Sequence, residues 1–328
     1  MTRWRNVVAA ATASLATLLG GVASAQEIAP GAITMVVPFA AGGPVDVTAR
    51  LVAPYMAEKL GRQIIIENVG GAGGMTGSSR VKNAAPDGRM LLVGNTGTHA
   101  YNQWLFKRPQ YDAVADFSPI GHIVENSKLL VVRNDLGVKT LKDLVTYATA
   151  NQAKMQFGSA GMGSGTHISC VIMNSVMNLN IAHVPYRGSG PALQDLIGGR
   201  IDYMCEVIST AVPQIAGGQI TPIALLSNYR SKALPNVPTG IEAGVEGLDS
   251  DGWNSLFMPK DANPALVKKI ADILSETLDI PHVAQRFDEL GLIVPPPARR
   301  GPEHLAKAVR DEIAKSEKPI RTSGASVE

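Results

Sequence analysis

The chain has 328 residues, 45% of them hydrophobic and 18% charged, with 30 Lys and Arg against 28 Asp and Glu and only two cysteines. A surface so close to neutral argues against nucleic acid or an anionic membrane as the partner. Two cysteines are too few for a disulfide scaffold or, by themselves, for a structural zinc site, whereas the length is enough for a large core and normally divides into two domains.

Met1–Arg5 carries Arg3 and Arg5, Val7–Val22 is rich in Ala, Leu and Val, and Ala23-Ser24-Ala25 is a small-x-small cleavage signal. That is the layout of a secretory signal peptide, residues 1–25, which predicts export to the periplasm and cleavage after Ala25. The apolar run is too short and too interrupted by Thr and Ser for an anchor helix. Without the leader, 303 residues remain (328 less 25), and the loss of Arg3 and Arg5 leaves 28 basic against 28 acidic residues. In an oxidising compartment Cys170 and Cys205 either pair or stay as buried thiols, and the sequence leaves both open.

Ile33–Val37 predicts the first strand, and Val45–Leu60 a helix with Val47, Leu51 and Met56 on one face and a kink at Pro54. Gln63–Glu67 is a second strand, then a loop Gly70–Gly74, a helix to about Lys82, and a third strand at Met90–Val93. After Pro119 the same alternation restarts with a strand at Leu129–Val132. Thr140 caps a helix that has Asp143 three residues on. Strands follow at Met155–Phe157, Ala182–Val184, Ile201–Cys205, Pro222–Leu226 and Ser255–Met258, with helices between the earlier ones. The C-terminal part is helical, with starts at Asn263-Pro264 and Pro302 and a frayed tail from Arg321. The prediction is α/β: two doubly wound lobes, each a parallel sheet covered on both faces, with the second lobe inserted into the first. Residues 26–125 and 252–328 form one lobe and residues 126–251 the other, joined by a two-crossing hinge.

Four places repeat one syntax of apolar strand, glycine-rich turn and helix start: Pro38–Pro44, Gly94–His99, Gly158–Thr166 and Tyr186–Pro191. The first amides of a helix lack intrahelical partners and sit at its positive end, so an anion is favoured there, and glycines let it approach closely. Two such loops in each lobe predict a carboxylate held between them by main-chain donors. Charge-assisted hydrogen bonds contribute about 1.5–3 kcal/mol each, and micromolar binding requires about 8 kcal/mol, so about four suffice without a buried Arg. Among side chains, Asp46 suits the first turn of a helix, Asp202 a strand start, and Arg187 either a ligand carboxylate or a surface ion pair. His167 follows the glycine loop directly. Catalytic patterns are missing: GxGxxG, GxxxxGK[ST] and GxSxG fail by spacing, the six histidines are scattered, and no paired-carboxylate signature occurs. No cofactor, metal or enzymatic role is expected.

Taken in order, VPFAAGGPVDVTARL (37–51), ENVGGAGGMTGSSRV (67–81), PDGRMLLVGNTGTHA (86–100), FSPIGHIVENSKLLVV, FGSAGMGSGTH (157–167), HVPYRGSGPALQDLIGGRIDYM (183–204) and LPNVPTGIEAG (234–244) cover most of the chain. They resemble the Bug or TctC-like family, the periplasmic receptors of tripartite tricarboxylate transporters. The resemblance implies a type II periplasmic-binding-protein fold that closes on its ligand by hinge motion. It implies a carboxylate gripped by amides and waters of Phe39, Ala40, Gly42 and Gly43 on one lobe, and of Ser159, Ala160, Gly161, Gly163, Ser164, Gly165 and Thr166 on the other. Thr96, Thr98, Tyr186, Arg187 and Gly188 would surround the variable end, while His99 and His167 at the rims are less typical of the family and bear on ligand identity. The expected partners are a small di- or tricarboxylate and the membrane permease subunits, with no nucleic acid, and the receptor acting as a monomer. Phe39, His99, His167, Tyr186 and Trp253 together would suit an aromatic dicarboxylate such as terephthalate. The alternatives are a ligand sensor feeding a two-component kinase and an exported enzyme acting on a carboxylate.

Overall fold

The computed structural model describes residues 28–327, so the expected leader lies outside the described residues. The chain runs through β1 (Ile33–Val37), α1 (Pro44–Leu60), β2 (Ile64–Asn68), α2 (Met75–Lys82), β3 (Met90–Asn95) and the short α3 (Asn102–Leu105). The long β4 (Phe117–Asn126) and β5 (Lys128–Arg133) then lead into α4 (Leu141–Asn151), β6 (Gln156–Ser159), α5 (Gly165–Val176), β7 (Ala182–Pro185) and α6 (Ser189–Ile197). Next come β8 (Tyr203–Val207), α7 (Ile208–Ala216), β9 (Ile220–Leu225) and β10 (Gly252–Pro259). The chain closes with α8 (Pro264–Leu278), α9 (Pro281–Glu289) and α10 (Pro302–Thr322).

Two five-stranded sheets result, ordered β2-β1-β3-β10-β4 and β7-β6-β8-β5-β9. Strands β1, β2 and β3 are parallel, as are β6, β7 and β8. Strand β10 runs antiparallel to β3 and β4, and β5 antiparallel to β8 and β9. Both sheets are therefore mixed, which corrects the expectation of parallel sheets. The reason is where each strand starts. A strand inside a βαβ unit ends at the rim that faces the other lobe, whereas β5 and β10 begin there, just after the chain has crossed.

Local chemistry explains the elements. Helix α4 has a complete capping box, with Thr140 Oγ1 accepting from the Asp143 amide at 3.1 Å and the Asp143 carboxylate accepting from the Thr140 amide at 3.1 Å. Helix α1 starts on Pro44 and stops at left-handed Gly61. It runs unbroken past Pro54, because that residue is exposed and the Arg50 carbonyl it leaves without a donor lies on the same solvated side. Strand β4 was not legible as a strand, since Pro119 and Gly121 interrupt its pattern. It is an edge strand paired along its length with β10, with two register shifts, and bridged on its other side at Glu125 to Ile293, so a proline is tolerated. Gly121 is required there because the Arg300 carbonyl occupies the space of a Cβ. In the core, Met35, Leu91, Met56, Leu256 and Ile270 are fully buried on one face of the first sheet, and Leu130, Phe157, Leu144 and Tyr203 at the second. Cys170 on α5 and Cys205 on β8 form a disulfide that ties this helix to its sheet.

Candidate ligand cleft

The glycine-rich turns do face one another, but much of the room they leave is filled by the opposite lobe. A Cβ on Gly70 would come within 2.5 Å of the Arg187 carbonyl oxygen, one on Gly188 within 2.6 Å of the Ala40 nitrogen, and one on Gly190 within 2.6 Å of the Ala41 oxygen. Gly97 meets the Gly165 nitrogen in the same way, at 2.8 Å. The Ala40 amide donates to the Arg187 carbonyl at 3.0 Å, a backbone bond between the lobes. The glycines thus serve close lobe-to-lobe contact, a role the sequence reading had given to the ligand.

Many of the expected donors are already engaged. Besides Ala40, the Gly42 amide donates to the Asp46 carboxylate at 3.0 Å. In the second lobe the amides of Ala160, Gly161 and Gly163 donate to Thr166 Oγ1, Ser159 Oγ and His167 Nδ1, and that of Ser164 to the Gly161 carbonyl. What remains are first-turn amides that helix geometry leaves without intrahelical acceptors: Val45 on α1, Gly165 and Thr166 on α5, and Ser189 on α6. All four residues line a single cleft between the lobes. The ends of three helices therefore present their positive poles to one space.

Of the residues expected at the site, Phe39, Thr96, Ala160, Ser164, Gly165 and Thr166 line this cleft. Thr96 Oγ1 accepts from the Trp253 amide at 3.0 Å, and Ser164 Oγ caps α5 by accepting from the His167 amide. Gly43 sits at the mouth of α1, where an added Cβ would be in ordinary contact with the Ser189 and Gly190 nitrogens.

The structure places the others elsewhere. Thr98 turns inward and bonds Asn95, and His99 is fully buried with its ring stacked on Phe257 at 3.8 Å. Burial pushes the His99 pKa down to about 3. Gly94 is a glycine for this reason: a Cβ there would lie 2.5 Å from His99 Cε1. His167 packs against His183 with ring centroids 4.2 Å apart, and Ser159 shares a 2.7 Å hydrogen bond with His183. The Tyr186 hydroxyl donates to Asp195, and Arg187 contributes its carbonyl while the residue is exposed. Gly161 and Gly163 abut Tyr186 and Asn102 rather than the cleft, and Gly188 abuts Ala40. Asp202 lies before β8, at the end away from the cleft, bonded to Arg133 and the Gln156 amide. Asp46 is likewise structural. Burial alone would raise its pKa, but hydrogen bonds from Arg50, Gly42 and Asn68 hold the carboxyl below the usual range. The aromatic cage proposed from Phe39, His99, His167, Tyr186 and Trp253 does not assemble, since only Phe39 and Trp253 reach the cleft.

The sequence reading missed Asn126, Lys128 and Asn254, which also line the cleft. No motif marks them. A signal existed all the same: they flank the two predicted crossings, and in a two-lobed molecule the crossings form the bottom of the cleft. Lys128 is 3% exposed and burial pushes its pKa down to about 8, against the attraction of Asp251 and Glu312. Burial also raises Asp251 to about 6 and Glu206, behind α6, to about 7.

The comparisons agree with this architecture. Residues 48–324 match the family model "Tripartite tricarboxylate transporter family receptor". A protein of Agrobacterium vitis, "UPF0065 protein in the TAR-I ttuE-ttuC' intergenic region", is 36% identical over 310 residues, covering 94% of this chain and 89% of that one. Among solved structures, MatC (Rpa3494) from Rhodopseudomonas palustris with bound malate superposes with a TM-score of 0.86 at 38% identity, covering 88% of this chain and 98% of that chain. R. palustris Rpa4515 with adipate does so with a TM-score of 0.86 at 30% identity, covering 91% and 99%. With the two-lobed fold and a family match spanning most of its length, the chain belongs to the receptors of the tripartite tricarboxylate transporters, the TctC family.

Proposed function

We propose that this receptor captures a small organic dicarboxylate between its lobes and delivers it to the membrane subunits of a tripartite tricarboxylate transporter. The observation that carries the reading is the convergence of the α1, α5 and α6 starts on one cleft, with Val45, Gly165, Thr166 and Ser189 supplying amides to an anion. Asn95, Thr96 and Asn254 add side-chain polarity, and Phe39 and Trp253 supply apolar walls. Malate and adipate, bound by the two structural relatives, are both dicarboxylates. The lobes we assign are residues up to 125 with residues from 252, and residues 126–251. Sheet membership supports this division, since β4 ends at Asn126, β5 starts at Lys128 and β10 re-enters the first sheet at Gly252. The family is extracytoplasmic, and we assign the protein to the periplasm after removal of residues 1–25, a compartment in which the Cys170–Cys205 bond persists. The role is binding rather than catalysis: the cleft-lining side chains include no nucleophile held by a base.

Isothermal calorimetry against malate, succinate, adipate, citrate and terephthalate tests the reading. Binding of at least one aliphatic dicarboxylate in the micromolar range is the expected result, and no carboxylate bound below millimolar would remove it. Uptake of the bound acid by a deletion strain, with and without the gene restored, tests the transport step.

A further inference from the structure

Lys128 stands out among the cleft residues because nothing in the protein neutralises it closely. It is 3% exposed and lines the cleft, yet among the described residues no carboxylate lies within 4.0 Å of its ammonium. Asp251 and Glu312 attract it from further away, while Lys315 repels it and is itself paired with Asp249 at 3.8 Å. Its backbone is fixed: it pairs with Val207 in the β5–β8 ladder, and its carbonyl accepts from the Leu226 amide at 2.8 Å. Gly252 makes room for the head group, since a Cβ there would lie 2.5 Å from Nζ, and Gly165 lies alongside, where a Cβ would be in ordinary contact at 3.9 Å. The ammonium therefore sits beside the start of α5, so that two positive groups share one corner of the cleft. That arrangement is costly to the empty protein, because the buried charge loses its hydration and the attraction of Asp251 and Glu312 from beyond ion-pair distance offsets this only in part. An apolar side chain of the same length would serve the fold better. An anion between the ammonium and the helix start would repay both.

We propose that Lys128 is the anchor for a second ligand carboxylate, so that the receptor selects dianions over monoanions of the same shape. The inference rests on the carboxylate reading above and deepens it. A monocarboxylate can occupy the amide cradle but leaves the ammonium buried and unpaired, whereas a dicarboxylate satisfies both ends. Charge-assisted bonds of this kind correspond to roughly a 10- to 100-fold preference.

The test is calorimetry on the purified receptor with malate and adipate, each against its own monoamide, for the wild type, Lys128→Met and Lys128→Gln, alongside the melting temperature of each ligand-free protein. The expected result is a wild-type preference of about tenfold or more for the diacid, its loss in both variants, and a melting temperature for Lys128→Met that is unchanged or higher. Equal wild-type affinities for diacid and amide overturn the proposal. So does a preference that survives in the variants. A fall in melting temperature, with diacid and amide weakened alike, overturns it by assigning Lys128 to holding the crossings together through Asp251 and Glu312. If the wild type binds neither diacid nor amide, the carboxylate reading itself falls and this inference with it.

Discussion

At the scale of single residues, the glycines have separable duties. Gly188 and Gly70 let one lobe touch the other, and neither has a left-handed backbone, so alanine at either position strains closure without straining its own loop. Gly188→Ala and Gly70→Ala are expected to weaken ligand binding by roughly 5- to 100-fold, from an overpacking cost of about 1–3 kcal/mol, with little change in the melting temperature of the empty receptor. Gly43→Ala is the control: its Cβ would meet the nearest atoms at 3.6 Å, ordinary contact, and affinity should hold within about twofold. Calorimetry on the three variants separates these outcomes, and Trp253 at the cleft wall offers a fluorescence readout of the same events. The sequence displayed every one of these glycines but not what each faces, because the neighbour in question belongs to a turn about 115–150 residues away.

At the scale of elements, two features set stability. The Cys170–Cys205 bond staples α5 to β8, and the Cys170→Ala/Cys205→Ala double variant is expected to lose about 2–4 kcal/mol in denaturant unfolding. The second is the set of buried imidazoles. Burial pushes His99 and His167 down to about 3 and His122 to about 4, with neighbouring positive charge adding to the effect at the last two. Their folded pKa values lie below the unfolded value near 6.5, so the unfolded chain binds more protons between them and stability rises with pH across that window. The contribution is complete above about pH 6.5 and is lost as pH falls toward 4 for His122 and toward 3 for His99 and His167, at up to about 1.4 kcal/mol per pH unit for each ring. Glu206 and Asp251, both raised by burial, act in the opposite direction over part of the same range. The measurement is therefore a difference: His99→Phe should flatten the acid limb of stability against pH by one proton relative to wild type. An unchanged slope would mean that His99 titrates normally.

For the whole molecule, the two sheets and their crossings make a hinge with the cleft at its floor. Small-angle scattering should register a smaller radius of gyration for wild type on addition of a bound dicarboxylate. Gly188→Ala should lose most of this change at equal occupancy, since its Cβ would lie 2.6 Å from the Ala40 nitrogen of the facing lobe. A wild-type radius insensitive to a ligand that calorimetry shows to be bound would argue against closure.

The sequence alone determined the alternation of strands and helices, its resumption with the strand at Leu129–Val132, the helix starts at Pro44, Thr140 and Asn263, and the four glycine-rich turns, because each is written in residues close together along the chain. Tertiary structure decided the direction of β5 and β10, the pairing of Cys170 with Cys205, the burial of His99 and His167 away from the cleft, and the arrival of Lys128 and Asn254 in it. The physical reason is common to these cases. Periodicity and capping report on a segment and the solvent around it, whereas the role of a glycine, a histidine or a lysine depends on what the other lobe places within a few ångströms of it.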